Sequence, residues 1–344
     1  MSGKTKILLG LVIVVALGFL LWWRSDVWQP QSVSIAAGES GNFLKSPSAS
    51  GFWGFLAKAD GWRREKRREK NSSPTPISPL PIPTPAPVPA PSPTNPSTFT
   101  DDFSATTKIA EAGSVDESAN SNWWVNSGAW LIVDSGLGQT VQGDLAATDP
   151  WFQVYLKSNA LDTDGGLHPQ NIFRLVQTSQ WLNFFQQNYF RINRLNLSAS
   201  PNRNASNGLF LFNRYQGGDD LYYTGLRVDG AAVIKKKING NYYTMAYQPL
   251  FNTGGQVYHR DTNPNLLPLD TWIGLKSEVM TEADGRVRIR LYTDVNRAGI
   301  WTLALEALDD GVKYGGAAIS NAGYAGLRSD FLDLDLDDYA INAP

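Results

Sequence analysis

Between Pro74 and Pro96 the chain reads PTPISPLPIPTPAPVPAPSPTNP, with proline at almost every second position. Proline locks φ and carries no amide hydrogen, so neither a helix nor a sheet can run through this stretch. In polyproline II form, at about 3.1 Å per residue, it makes a semi-rigid stalk of roughly 70 Å. The chain is thereby divided into a front segment, a linker over residues 71–97 and a body over 98–344, each of which must fold on its own terms.

The charges divide at the same place. Residues 1–98 hold 11 of the 30 basic and 5 of the 32 acidic side chains, a net of +6, which leaves 19 and 27, a net of −8, for the rest. An acidic body does not suit a nucleic-acid surface, where phosphate contacts need Lys and Arg. In the front segment Lys4 and Lys6 precede a charge-free run from Ile7 to Trp23. As a helix at about 1.5 Å per residue this run is about 25 Å long, the lower limit for crossing a bilayer. Trp22 and Trp23 suit an interfacial anchor, and the flanking charges favour a cytoplasmic end at residues 1–6. The reading is a signal-anchor at 7–23, with everything after it outside the cell and the protein single-pass in the cell membrane. A cleaved signal peptide competes, although its best small-residue site, Ser34–Ala37, lies well beyond the apolar run. Residues 24–70 then form a juxtamembrane segment ending in six basic and two acidic side chains between Arg63 and Lys70, suited to anionic lipid or to a solvated spacer.

From Thr98 the texture changes to short alternating segments, among them WFQVYL, NGLFLFNRYQGGDD, LYYTGLRVDG, DGRVRIRLYTDVN and FLDLDLDDYAI, punctuated by Asn-Gly and Asp-Gly. Such patterning predicts strands and hairpins. The stretch QNIFRLVQTSQWLNFFQQNYFRI could be helical but carries no clear cap. With no cysteine, the body must hold together by its core alone. A mostly β body of this size predicts an all-β, two-sheet jelly-roll sandwich.

Three stretches carry a family resemblance: TFTDDFS at the start of the body, NWWVNSGAWLIVDSGLGQTVQG after it, and GYAGLRSDFLDLDLDDYAI at the end. They resemble the concanavalin A-like lectin/glucanase superfamily, including laminin-G-like and family-16 glycosidase-like jelly rolls. The resemblance implies a polysaccharide ligand on the concave sheet and a structural calcium (Ca2+) near the first and last strands. The residues to hold that ion are Asp101 or Asp102 with Asp337 or Asp338.

The row Asp333, Asp335 and Asp337, alternating with Leu332, Leu334 and Leu336, is open to three readings. Alternate strand residues lie roughly 6–7 Å apart, and glycoside hydrolysis uses carboxyl pairs about 5–9.5 Å apart, so these three are the catalytic candidates if the protein is an enzyme. Part of the row could instead serve the calcium site. As a plain charged ladder, it could face Arg286, Arg288 and Arg290 across a sheet. His168 and His259 are the only histidines, too few for a three-histidine zinc site. Aromatics point to sugar binding, since flat rings stack on pyranose faces. Alternation in LYYTGLRVDG puts Tyr223 and Arg227 on one face, and with Arg214 they are the expected ligand-binding residues. The reading is a membrane-anchored, non-catalytic, lectin-like module. A polysaccharide-cleaving hydrolase or lyase is the first alternative and a protein-contacting adhesion domain the second.

Overall fold

The computed structural model describes residues 97–252 and 254–344, so the anchor, juxtamembrane segment and stalk expected above lie outside the described residues. Among the described residues no helix is long and apolar enough to cross a membrane.

The body is built from two antiparallel sheets. The larger runs in the order β14 (Thr302–Asp309), β13 (Val287–Val295), β12 (Trp272–Thr281), β7 (Phe184–Leu195), β16 (Leu332–Asn342), β5 (Leu137–Gln139), β4 (Trp130–Asp134) and β2 (Thr107–Ala110), with β1 (Thr98–Asp101) also paired to β16. The smaller runs β11 (Asn241–Pro249), β10 (Ala231–Ile238), β9 (Asp220–Arg227), β8 (Gly208–Gly217), β15 (Gly323–Ser329), β6 (Arg174–Trp181) and β3 (Trp123–Ser127). This is the two-sheet, jelly-roll-like sandwich that the alternation predicts. Asn239 and Gly240, at φ 50° and 79°, close the β10–β11 hairpin in the left-handed conformation that an Asn-Gly turn supplies.

Side chains of one parity on each strand meet between the sheets. Leu332, Leu334 and Leu336 of β16, Phe190 and Ile192 of β7 and Ile273 and Leu275 of β12 pack against Leu209, Leu211, Leu226, Ala232 and Ile234 of the smaller sheet. Fully burying such a side chain contributes roughly 1.5–3 kcal/mol each, which is how a body without disulfides is held. One ion pair is sealed inside this core: Lys236 Nζ lies 2.8 Å from Asp309, both side chains fully buried. Asp309 also accepts from the Tyr222 hydroxyl at 2.6 Å, and Lys236 donates to the carbonyls of Gly316 and Ala317. Every partner is satisfied, so the pair ties the 310–322 loop to the sandwich.

Two segments differ from the sequence expectation. WFQVYL, expected as a strand, lies in the helix α1 (Pro150–Ser158): Asp149 caps it by accepting from Trp151 N at 2.8 Å, and Pro150 occupies the first turn. The ambiguous QNIFRLVQTSQWLNFFQQNYFRI begins in a single 3-10 turn and then becomes β6 and most of β7, because both strands find partners across the sheets.

Candidate functional site

β16 sits in the middle of the larger sheet, with β7 on one side and β1 and β5 on the other. Its leucines point inward and its aspartates point to the outer face, yet Asp333 and Asp335 are only 1% exposed. Asp333 accepts from Gly143 N at 2.7 Å and from the side-chain amides of Gln170 and Asn196, each at 2.8 Å. Asp335 accepts from Gln139 and Asn193 amides at 2.8 Å and is clasped by the Arg191 guanidinium. These carboxylates are thus saturated acceptors, and only Asp337 of the three is more than marginally exposed.

The ladder between this row and Arg286, Arg288 and Arg290 does not form, because β12 and β7 stand between β13 and β16. Arg288 pairs instead with Glu282 and Glu306, Arg290 with Glu306 and Glu278, and Arg286 with Asp284. The expected calcium ligands are likewise committed elsewhere. β1 does lie beside β16, with Asp101 opposite Tyr339. Asp101, however, accepts from Phe103 N and from the Trp123 indole at 2.6 Å, and Asp102 accepts from Ser104 N. Asp337 and Asp338 both face Arg297. Among the described residues no three His, Asp or Glu side chains are grouped to hold a metal. With Arg297 on Asp337 and Asp338 and with Asp101 and Asp102 bonded to other donors, the four do not form a ready calcium donor set.

The three expected ligand-binding residues are not brought together. Tyr223 and Arg227 do share the outer face of β9. Tyr223 is 4% exposed, packed between Phe212 and Tyr242 with its hydroxyl accepting from Arg328. Arg227 pairs with Asp229 at 2.8 Å and lies over Tyr247. Arg214 points the other way. A bulge in β8, with Arg214 at φ 49°, turns its side chain into the interior, where it is fully buried. There it donates to the carbonyls of Leu182 and Ile319, to Asn183 and to Thr281, and burial lowers its guanidinium to about 10. His168 is also structural, held between Asp164 and Asp144. His259 lies in a loop and accepts from Asp261 N and Thr262 N.

The outer face of the larger sheet carries a feature that alternation alone does not single out. Cross-strand neighbours on β7, β12 and β13, with Arg297 and Trp301 from the connection between β13 and β14, place a strip of cations and rings side by side. The Arg191 guanidinium lies 4.8 Å from the Trp272 ring centre, and Arg297 lies 4.1 Å from Trp272 and 4.9 Å from Tyr189. Tyr189 contacts Trp301 at 5.5 Å, and Lys276 Nζ lies 4.4 Å from Trp301 and 5.6 Å from Tyr292. The sequence is Arg191, Trp272, Arg297, Tyr189, Trp301, Lys276, Tyr292. Except for the more buried Tyr189, all are half-exposed.

Local backbone explains why the strip can exist. Gly274 lies beneath it; a Cβ there would come within 2.7 Å of the Tyr189 ring and 2.8 Å of the Trp301 ring, so only glycine lets both lie down on β12. Asn296 and Arg297, at φ 64° and 51°, swing Arg297 over the rings. A register shift after Asp337, with Asp338 at φ 50°, turns both carboxylates toward that guanidinium. Residues held in sparsely populated conformations cost of order 1–3 kcal/mol each and persist where the surroundings over-determine them. Tyr189 donates to Asp294 at 2.6 Å, and burial together with that bond holds its phenol well above the usual range. The signals for the strip were Trp272, Trp301 and the cations at alternate positions. Only the sheet order shows that they meet. A pocket between Asn196, Arg203, Tyr258 and Phe331 has about 20 Å³ of space, room for about one water and none for a sugar ring.

No protein-family model matches the chain, and no curated protein is similar to it in sequence. Among solved structures it is similar to a carbohydrate-binding module, CBM66, from Bacillus subtilis, at 14% identity over 64% of this chain and 96% of that one, with a TM-score of 0.39. It is similar to the Crh5 transglycosylase in its apo form at 10% identity, over 72% and 85% of the two chains, with a TM-score of 0.40. The exoplasmic/lumenal domain of VIP36, in a Ca2+/Man-bound form, matches at 10% identity over 71% and 88%, with a TM-score of 0.34.

Proposed function

We propose that the chain is a surface-anchored, non-catalytic carbohydrate-binding module: residues 7–23 hold it in the cell membrane, the proline stalk extends it, and the sandwich binds glycan outside the cell. The observation that carries the binding reading is the half-exposed strip from Arg191 to Tyr292. Rings offer apolar area to a pyranose, and cations and carboxylates beside them bond hydroxyls. Arg191 and Arg297 are already pinned by Asp335, Asp337 and Asp338, so little side-chain freedom is lost on binding. The strip runs diagonally, crossing from β7 to β13 while advancing along β12 from Trp272 to Lys276, which gives it the length for an extended chain of sugars.

The test is titration of the full chain with a panel of polysaccharides, with reducing ends assayed in the same tubes. Trp301→Ala and Trp272→Ala are expected to weaken binding tenfold or more each, at about 1.4 kcal/mol per factor of ten. Arg227→Ala, on the opposite sheet, should leave affinity unchanged. A panel without any binding sinks the reading. New reducing ends that disappear in Asp337→Asn would replace it with cleavage. Protease accessibility of the body on intact cells, compared with a chain lacking residues 1–23, tests the anchor.

A further inference from the structure

Resting on that reading of the face, we propose that Lys276 binds the carboxylate of a uronic acid unit, so that the ligand is a mostly neutral glycan carrying isolated acidic sugars. Within the strip and the charged residues around it, every other cation already has a carboxylate. Arg191 is paired with Asp335, Arg297 with Asp337 and Asp338, and Arg288 and Arg290 with glutamates. Lys276 forms no ion pair among the described residues; its ammonium is framed by the Trp301 and Tyr292 rings instead.

The acids around it are occupied. Asp294 accepts from the Tyr189 hydroxyl at 2.6 Å and from the backbone amides of Ala298 and Gly299 at 3.0 Å. Glu278 takes the Arg290 guanidinium and the Tyr292 hydroxyl, both at 3.1 Å. An arriving carboxylate therefore gains a charge-assisted bond to Lys276 without breaking an existing pair, whereas at Arg191 or Arg297 it must displace an aspartate. Burial lowers the Lys276 pKa, with Asp294 opposing that shift, so the ammonium stands to gain from a further anion. The half-exposed Trp301 and Tyr292 give the same sugar unit apolar surface. One lysine provides for one carboxylate. The net charge of −8 on the body opposes a dense polyanion, and at physiological salt, with a Debye length of about 8 Å, the local pairing decides.

The experiment titrates the full chain at physiological salt with matched pairs of polysaccharides, glucuronoxylan and a glucuronic acid-bearing mannan, each native and carboxyl-reduced. For at least one backbone the native form should bind about tenfold tighter than its reduced partner, the gain of one charge-assisted bond. Lys276→Gln should erase that difference, whatever its effect on the affinity common to both forms, and Lys276→Arg should restore part of it. Equal binding of native and reduced forms, or a preference that survives Lys276→Gln, overturns the inference while the glycan reading stands. If neither form of any polysaccharide binds, neutral oligosaccharides included, both fall.

Discussion

The row of aspartates on β16 and the row of arginines on β13 have the same alternating texture in sequence, and the structure gives them opposite surroundings. Asp333 and Asp335 lie mid-sheet, almost without solvent, Asp333 ringed by amide donors and Asp335 by amides and a guanidinium. Arg286, Arg288 and Arg290 lie one strand from the sheet's edge and pair with Asp284 and Glu278, Glu282 and Glu306 in partial contact with water. Equal charge patterning thus encodes a buried network in one place and a solvated lattice in the other. The difference is energetic as well as geometric: a buried acceptor removed strands its donors, whereas an exposed pair removed is replaced by water.

The largest expected effect breaks or upholds this contrast directly. Asp333→Ala leaves Gly143 N and the Gln170 and Asn196 amides without their acceptor and should cost about 3–5 kcal/mol, read from the denaturant midpoint. Arg288→Gln should move that midpoint far less, because water replaces the lost partner. If the two losses are similar, the contrast is false. Next in size, Gly274→Ala should destabilise by about 1–3 kcal/mol through overpacking and lower glycan affinity as well, because the new methyl pushes Tyr189 and Trp301 off the sheet. Loss of stability with full affinity would show that the rings need not lie where they do.

The smallest effects come from pH and differ in sign between two glutamates. The hydrogen bond from Arg290 holds Glu306 below its ordinary value of 4.5. Its contribution is therefore complete above pH 4.5 and is lost as pH falls through the lower folded value. Burial raises Glu111, which accepts from the Tyr155 hydroxyl and Ala129 N. Its folded form takes up a proton more readily than the unfolded one, so this site gains stability as pH falls through the raised value toward 4.5. Melting curves from pH 7 to 3 should show Glu306→Gln flattening the loss below 4.5 and Glu111→Gln removing the gain above it. A loss of equal steepness in both variants would contradict the assignment.

The site was legible in its ingredients and illegible in its assembly. Aromatic side chains are legible in the sequence as sugar-binding ingredients, and alternation places Tyr223 and Arg227 on one face of their strand, as in β9. Arg214 was misplaced because a single bulge reverses parity, and bulges leave little trace in a hydrophobic pattern. Arg191, Tyr189, Lys276 and Arg297 drew no notice, since each is ordinary in its own segment and significant only beside its neighbours.

The sequence by itself determined the strand texture, the inward leucines of β16, the Asn-Gly hairpin and the need for a core without disulfides, because these follow from period, turn chemistry and composition within a few residues. Only the tertiary structure decided that β12 and β7 separate the two charged rows, that WFQVYL winds into a helix under Asp149 and Pro150, and that four rings and three cations come together on one face. Those outcomes depend on which distant strands pair, and strand pairing is chosen by burial of the whole core, not by any one segment.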